Sequence, residues 1–212
     1  GTNGKGSIAS FIETCAIEAG INVGSTTSPH LLNWCERIRV KGKEISGKEF
    51  NEQVIRIQAT SKNLSEFELV IACALDYFSN KKVELIILEA GLGGRLDATT
   101  SHPNRPLIAI GSIGLDHCEY LGRNLQEITR EKAAVISAGS IVISAIQDAK
   151  VSEVLEEIAY KKEAVIKWVK PLPKHWELGI PGQVQRQNAA VAKGILEELK
   201  RFGWEFNKKQ IK

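Results

Sequence analysis

The chain opens on Gly1-Thr2-Asn3-Gly4-Lys5-Gly6-Ser7, a glycine-rich stretch ending in a lysine and a hydroxyl. It runs straight into a helical pattern. From Ser7 to Ala19, Ile8, Phe11, Ile12, Cys15, Ala16 and Ala19 recur at helical spacing, and Gly20 is a natural stop. A loop of this kind is the chemistry of a nucleotide-phosphate cradle. Glycines let backbone N–H groups curl around phosphate oxygens, and the helix N-terminus adds partial positive charge. Lys5 would reach the β- and γ-phosphates, and Ser7 or Thr2 could meet phosphate or magnesium. The fit to G-x-x-x-x-G-K-[ST] is incomplete, because the first glycine of that pattern would lie ahead of Gly1 and Gly6 separates Lys5 from Ser7. An ordinary strand-to-helix turn is the competing reading.

Apolar runs and amphipathic stretches alternate through the rest of the 212 residues. Strands are expected near Ile21–Thr27, Arg37–Lys41, Val83–Leu88, Leu107–Ile113, Ser140–Ile146 and Ala164–Val169. Helices are expected near Gly47–Asn63, Glu66–Ser79, Leu125–Ser137, Val151–Lys161 and Val184–Phe202. Val83–Leu88 is nearly all apolar, as expected for a central parallel strand covered on both faces. The alternation implies right-handed crossovers and an α/β fold, a mostly parallel, doubly wound sheet carrying a phosphate loop.

In such sheets ligands sit outside the carboxyl ends of the strands. The phosphate loop, the Ser28-Pro29-His30 loop, Glu89 and His117 all fall there. Glu89 ends a buried strand, where a phosphate-loop enzyme holds magnesium; a carboxylate capping the next turn is the alternative. Ser28 could supply a hydroxyl to the metal or be a turn residue before Pro29. His117 alone reads as a hydrogen-bonded structural group, Lys132 alone as a solvated helix lysine, and the basic residues of Arg37–Lys41 as a solvated face.

Bulk properties narrow the function classes. The residues are 43% hydrophobic and 25% charged, and no apolar run approaches membrane-spanning length. A net charge of +3 gives no argument for nucleic acid but suits anionic small substrates. Cys15, Cys35, Cys73 and Cys118 lack metal-ligand spacing and read as free thiols in a reducing cytoplasm. There is no methionine, and a phosphate loop normally follows a buried strand, so a missing first strand is expected ahead of Gly1.

Taken together, seven stretches resemble the folylpolyglutamate synthase and dihydrofolate synthase family, a branch of the Mur ligases. They are GTNGKGS at Gly1, TSPHL at Thr27, ERIRV at Glu36, EAGLGGRLDAT at Glu89, SIGLDHCEYLG at Ser112, EITREKA at Glu127 and QRQNAA at Gln185. The resemblance implies a cytoplasmic, monomeric ATP-dependent ligase acting on small molecules, with no nucleic acid or membrane partner. ATP would phosphorylate a carboxylate of a pteroate or folate, and L-glutamate would then attack the acyl phosphate. A cell-wall ligase acting on UDP-MurNAc peptides is the alternative enzyme, disfavoured by Gly6 and by the SPHL and GLGGRLDAT stretches. A nucleotide-binding fragment with no activity of its own is the non-enzymatic alternative.

Carried over residue by residue, the resemblance makes Thr2, Asn3, Gly4, Lys5, Gly6 and Ser7 the ATP phosphate loop and puts Asn188 near the nucleotide base. Ser28 and Glu89 would ligate one Mg2+ and His117 a second. Lys132 matches the lysine that the family carbamylates; a carbamate would turn a repelled ammonium into an anion beside the metals. Lys5, Lys132 and His117 are thus the expected catalytic residues. The pteroate would lie near Ser65, Glu66, Phe67 and Glu68, and near Leu96, Asp97 and Ala98. The expected domains are an ATP-binding unit over 1–206 and, from 207–212, the start of a connection to a C-terminal glutamate ligase domain. Thr100 and Ala134-Val135 depart from the family pattern, and Trp168–Gly182 is shorter than the hairpin expected there.

Overall fold

The computed structural model describes residues 1–102 and 105–211, with only the backbone of Lys208. Seven strands are described: β1 (Val23–Thr26), β2 (Ile38–Val40), β3 (Lys43–Glu44), β4 (Leu85–Leu88), β5 (Leu107–Ile110), β6 (Ile141–Ala145) and β7 (Val165–Val169). The helices are α1 (Lys5–Glu18), α2 (Gly47–Thr60), α3 (Glu66–Asn80), α4 (Cys118–Leu121), α5 (Leu125–Ala133), α6 (Ala149–Lys161), α7 (Gln183–Leu199) and α8 (Lys208–Ile211).

Local chemistry sets the helix starts. Ser46 and Glu49 form a reciprocal capping box at α2, and Ser65 and Glu68 form another at α3. Asn124 caps α5 and Asp148 caps α6, each side chain accepting a first-turn backbone N–H. Asp148 moves the start of α6 ahead of the apolar periodicity, which begins at Val151.

The strands form two half-sheets. One has the order β3-β2-β1-β4, with β1 parallel to β4 and the outer pairs antiparallel. The other is all parallel, in the order β5-β6-β7. Alternation along β6 divides the core: Ile143 and Ala145 join Ile8, Ile12, Val191 and Ile195 beneath α1 and α7. Val142 turns the other way, toward Ile128, Val151 and Leu155 on α5 and α6. A third cluster packs α2 and α3 on the antiparallel edge through Ile38, Val70 and Phe78. Gly24 must lack a side chain there, because a Cβ would come within 2.7 Å of the Phe78 ring.

Among the described residues β4 pairs on one side, with β1, and Ile86 keeps 36% of its surface exposed. An apolar run reports burial of faces, whereas pairing depends on what lies beside each edge. One strand boundary needs correcting. The strand expected to reach Ile113 leaves the sheet after Ile110 because the Gln147 side chain takes over its backbone groups. Gln147 accepts from the Ile113 N–H at 3.0 Å and donates to the Gly111 carbonyl at 2.9 Å.

Candidate active site

The phosphate-loop stretch lies at the carboxyl ends of β4 and β5. Gly4 occupies the left-handed region (φ 83°) and hands the chain to α1 at Lys5, with no side chain of its own to cap the first turn. A Cβ on Gly4 would meet the Asn188 amide at 2.3 Å. Asn188 is buried beneath the loop, with its Nδ2 donating to Gln185. It props the loop from below, a placement that the sequence motif alone did not specify. Thr2 secures the other end: its N–H donates to the Ser112 carbonyl at 2.7 Å, and its hydroxyl exchanges hydrogen bonds with Gly114 at 3.0–3.1 Å. Asn3 is exposed, and Ser7 lies on the first turn of α1.

Glu89 follows β4 and stands at the N-terminus of α1, with both oxygens 3.6 Å from where a Gly6 Cβ would be. It is 8% exposed. The Ser28 backbone N–H donates to its Oε2 at 3.1 Å, and its own N–H donates to the Thr26 hydroxyl at 3.2 Å. Burial pushes the Glu89 carboxyl up, against the lowering effects of the Ser28 amide and of Lys5, Arg39 and the Gly6 amide. Among the described residues no basic side chain forms an ion pair with it. A buried carboxylate without a salt-bridge partner, beside the N-terminus of α1, fits a hard cation carried in with phosphate. The fit is to one carboxylate plus waters, because no three His, Cys, Asp or Glu residues converge among the described ones.

Lys132, on α5, is only 7% exposed and lines the same cavity as Gly1, Lys5 and Glu89. This corrects its solvated reading. Burial lowers its pKa, Lys5 lowers it further, and Asp116 opposes them. His117 is exposed, in a left-handed conformation (φ 48°) at the start of α4, and its Nε2 lies 3.5 Å from Asp116. Asp116 is therefore the group that connects His117 with the Lys132 field. It was missed in the sequence, although it sits within the SIGLDHCEYLG stretch.

The expected pteroate residues divide by role. Asp97 is buried and organises its own loop: Oδ2 accepts from the Gly91 and Leu92 amides, and Oδ1 from the amide and hydroxyl of Thr99. Leu96, beside it, is 85% exposed, and Ala98 is half-buried. Ser65 and Glu68 are engaged in the α3 capping box, and Glu66 is exposed. The Phe67 ring reaches Gly91, where a Cβ would come within 2.9 Å of it. That contact joins the α3 segment to the Glu89 loop.

The Ser28 loop is shaped by the ERIRV stretch. Glu36 accepts the amides of Leu31, Leu32 and Asn33 at 2.6–2.8 Å, and these bonds lower its pKa. Arg37 donates to His30 Nδ1 at 2.8 Å and lies over the Trp34 ring. Leu31 and Leu32 are left 90% and 89% exposed beside the site. Arg39, read as part of a solvated face, instead pairs at 2.7 Å with buried Glu13, which also accepts from Ser25. Alternation of charge along β2 could not reveal an acid coming from α1. Elsewhere, Arg186 donates to the carbonyls of Pro173, Lys174 and Trp176, holding the short 170–182 connection without strands.

Comparison with known proteins shows the family of the chain. The dihydrofolate synthase/folylpolyglutamate synthase of Buchnera aphidicola (from Schizaphis graminum) is 34% identical over 230 residues, covering all of this chain and 54% of its own length. That of Bacillus subtilis is 38% identical over 174 residues, 77% of this chain and 40% of the relative. The chain belongs to the folylpolyglutamate synthase and dihydrofolate synthase family. It spans between a third and just over half of the length of the curated relatives of this family that it matches. An Escherichia coli FolC structure in complex with DHPP and ADP superimposes over the whole chain with a TM-score of 0.88 at 28% identity, using 54% of that structure. The apo form of Lactobacillus casei FPGS gives a TM-score of 0.91 at 22% identity, a likeness of fold. No family model matches the chain. Among the described residues, no helix is long and apolar enough to cross a membrane.

Proposed function

We propose that the full-length protein is an ATP-dependent carboxylate–amine ligase that adds L-glutamate to dihydropteroate, to reduced folates, or to both. The observation that carries this reading is the meeting of three groups at one end of the sheet: the Gly4–Ser7 turn at the N-terminus of α1, buried Glu89, and buried Lys132. Family membership supports the substrate class, as does the DHPP and ADP complex of the E. coli relative.

A free carboxylate is a poor electrophile. In the proposed reaction its oxygen attacks the γ-phosphorus of ATP, the bond to the β-γ bridging oxygen breaks, and ADP leaves. The uncharged amino nitrogen of glutamate then attacks the acyl carbon. The C–O bond to phosphate breaks, inorganic phosphate departs, and the nitrogen gives up a proton to leave an amide. The protein mainly positions groups and neutralises charge. The loop amides and Lys5 hold the phosphates, with Thr2 and Asn188 fixing the loop between them. Ser28 and Glu89 would hold Mg2+, with His117 at a second ion; the metal neutralises developing phosphate charge. Lys132 suits carbamylation, because a lowered pKa provides the neutral amine that adds to carbon dioxide. Asp97 shapes the loop that carries Leu96 and Ala98, and Phe67 supports it from α3, forming the wall assigned to the pteroate.

We further propose residues 1–206 as the nucleotide-binding unit, with 207–212 leading toward a glutamate-binding domain, and a monomer working in the cytoplasm. The test of the reaction is an isotope experiment on the full-length protein. Oxygen-18 placed in the substrate carboxylate should appear in the released phosphate. Phosphate free of label would overturn the acyl-phosphate route.

A further inference from the structure

β2, β1 and β4 bring Arg39, Ser25 and Ile87 into one row. Ser25 pairs with Arg39 on one side and with Ile87 on the other, and partners across a ladder share a face of the sheet. α1 covers that face. The Ser25 hydroxyl donates to Glu13 Oε1 at 2.6 Å, and the Arg39 guanidinium donates to Oε2 at 2.7 Å. Both oxygens of buried Glu13 are thus engaged. Glu89, two residues beyond Ile87, comes to the same face, its oxygens 3.6 Å from where a Gly6 Cβ on α1 would be. Arg39 therefore shares its face with two buried carboxylates and is ion-paired with Glu13 alone among the described residues. Its Nε is buried with no hydrogen-bond partner, so the guanidinium has donor capacity left over.

We propose that Glu13 is a positioning residue: by holding Arg39 it keeps Glu89 open to the metal. The inference rests on the metal site proposed above. A guanidinium stays charged, and in a half-buried position it requires a carboxylate partner. Glu13 supplies that partner from α1, with Ser25 fixing its other oxygen. Once the Glu13 charge is removed, the next carboxylate along the face is Glu89. A guanidinium bonded there would occupy the oxygen lone pairs that a hard cation uses. The field of Arg39 already reaches that far: burial raises the Glu89 carboxyl, while the Ser28 amide, Lys5 and Arg39 act against it. Glu13 thus decides which of two buried carboxylates takes the arginine and which is left for the cation.

The test is magnesium titration of nucleotide binding by the full-length protein, using Glu13→Gln, Arg39→Met and the double variant. Glu13→Gln should raise the magnesium midpoint by roughly tenfold. Adding Arg39→Met should return it to the wild-type value or below. Arg39→Met alone should not raise it, because that change removes the competing cation. A pair that serves structure only gives a different pattern: each single change weakens the site, and the double variant recovers nothing. An unchanged midpoint in Glu13→Gln, or no recovery in the double variant, overturns the inference. If Glu13→Gln does not fold, Arg39→Met decides, and a raised midpoint there overturns it. A crystal structure of metal-free Glu13→Gln gives a second reading: the Arg39 guanidinium should lie on Glu89, and one still resting on the new glutamine would contradict the proposal. Wild-type nucleotide binding indifferent to magnesium is a separate result, which would overturn the metal site itself and this inference with it.

Discussion

The Ser28 backbone N–H donates to Glu89 Oε2 across 3.1 Å, so the loop after β1 is tied to the carboxylate after β4 by the main chain. With the proposed metal site, Ser28 has two separable roles. Its amide orients Glu89, and its hydroxyl is the group assigned to the metal. Ser28→Ala should therefore keep the fold and the Glu89 orientation while weakening the magnesium dependence of nucleotide binding. Magnesium titration against bound nucleotide checks this; an unchanged midpoint would remove the hydroxyl from the metal site.

Glu89→Gln should separate stability from function. The Glu89 carboxyl is raised in the folded protein, so the native state binds more protons than the unfolded state once pH exceeds the ordinary carboxylate range. Its contribution to stability is thus present at low pH and falls as pH rises through the folded pKa. Glutamine, which does not ionise, should make the ligand-free protein more stable at neutral pH, with the difference vanishing in acid. The same change should cost turnover by roughly 100-fold, as loss of a charge-organising group does. Thermal melts across pH, paired with ADP release, measure both effects.

Lys132 should respond to bicarbonate. Its lowered pKa raises the share of neutral amine, and carbamylation would replace a repulsion between Lys5 and Lys132 with an attraction. Protein depleted of carbon dioxide should lose activity and regain it when bicarbonate is added, while Lys132→Ala should not respond. Activity indifferent to bicarbonate would count against the carbamate.

Gly4 and Gly20 form a matched pair. Both have positive φ, 83° and 79°, but a Cβ at Gly4 strikes Asn188, whereas one at Gly20 meets nothing within 4 Å. Each change to alanine should cost about 1 kcal/mol in backbone strain. Gly4→Ala alone should also weaken ATP binding by roughly tenfold or more, with part of the loss recovered in Gly4→Ala/Asn188→Ala. Isothermal titration on the full-length protein reads this directly. Equal ATP affinity in the two single variants would show that Asn188 does not support the loop.

Asp97→Ala should act on structure first. It strips acceptors from three backbone amides and one hydroxyl in a buried loop, a loss of about 3 kcal/mol. Pteroate affinity should fall more than ATP affinity. Equal losses would place Asp97 outside the pteroate wall.

Much of this was legible in the sequence because local chemistry dominated. The helix after Lys5, the capped helices at Ser46 and Ser65, and the run Leu85–Leu88 follow from spacing and cap residues. What escaped depends on neighbours distant in the chain. The burial of Lys132 cannot be read from its own stretch, because it is set by elements packed around α5. Asn188 illustrates the same limit. Its motif marked it as belonging near nucleotide, and only the fold places its amide under Gly4. Arg39 found its partner on α1, an acid 26 residues away in sequence.

The central claim is ATP-driven ligation of glutamate to a pteroate or folate. The most direct measurement is ADP release by the full-length protein with Mg2+ and ATP, comparing dihydropteroate and tetrahydrofolate side by side, each with and without L-glutamate. The account predicts ADP formed in step with a product one glutamate longer, only when glutamate and at least one of the two acceptors are present. ADP release that requires a UDP-MurNAc peptide, with none on either acceptor, would contradict it.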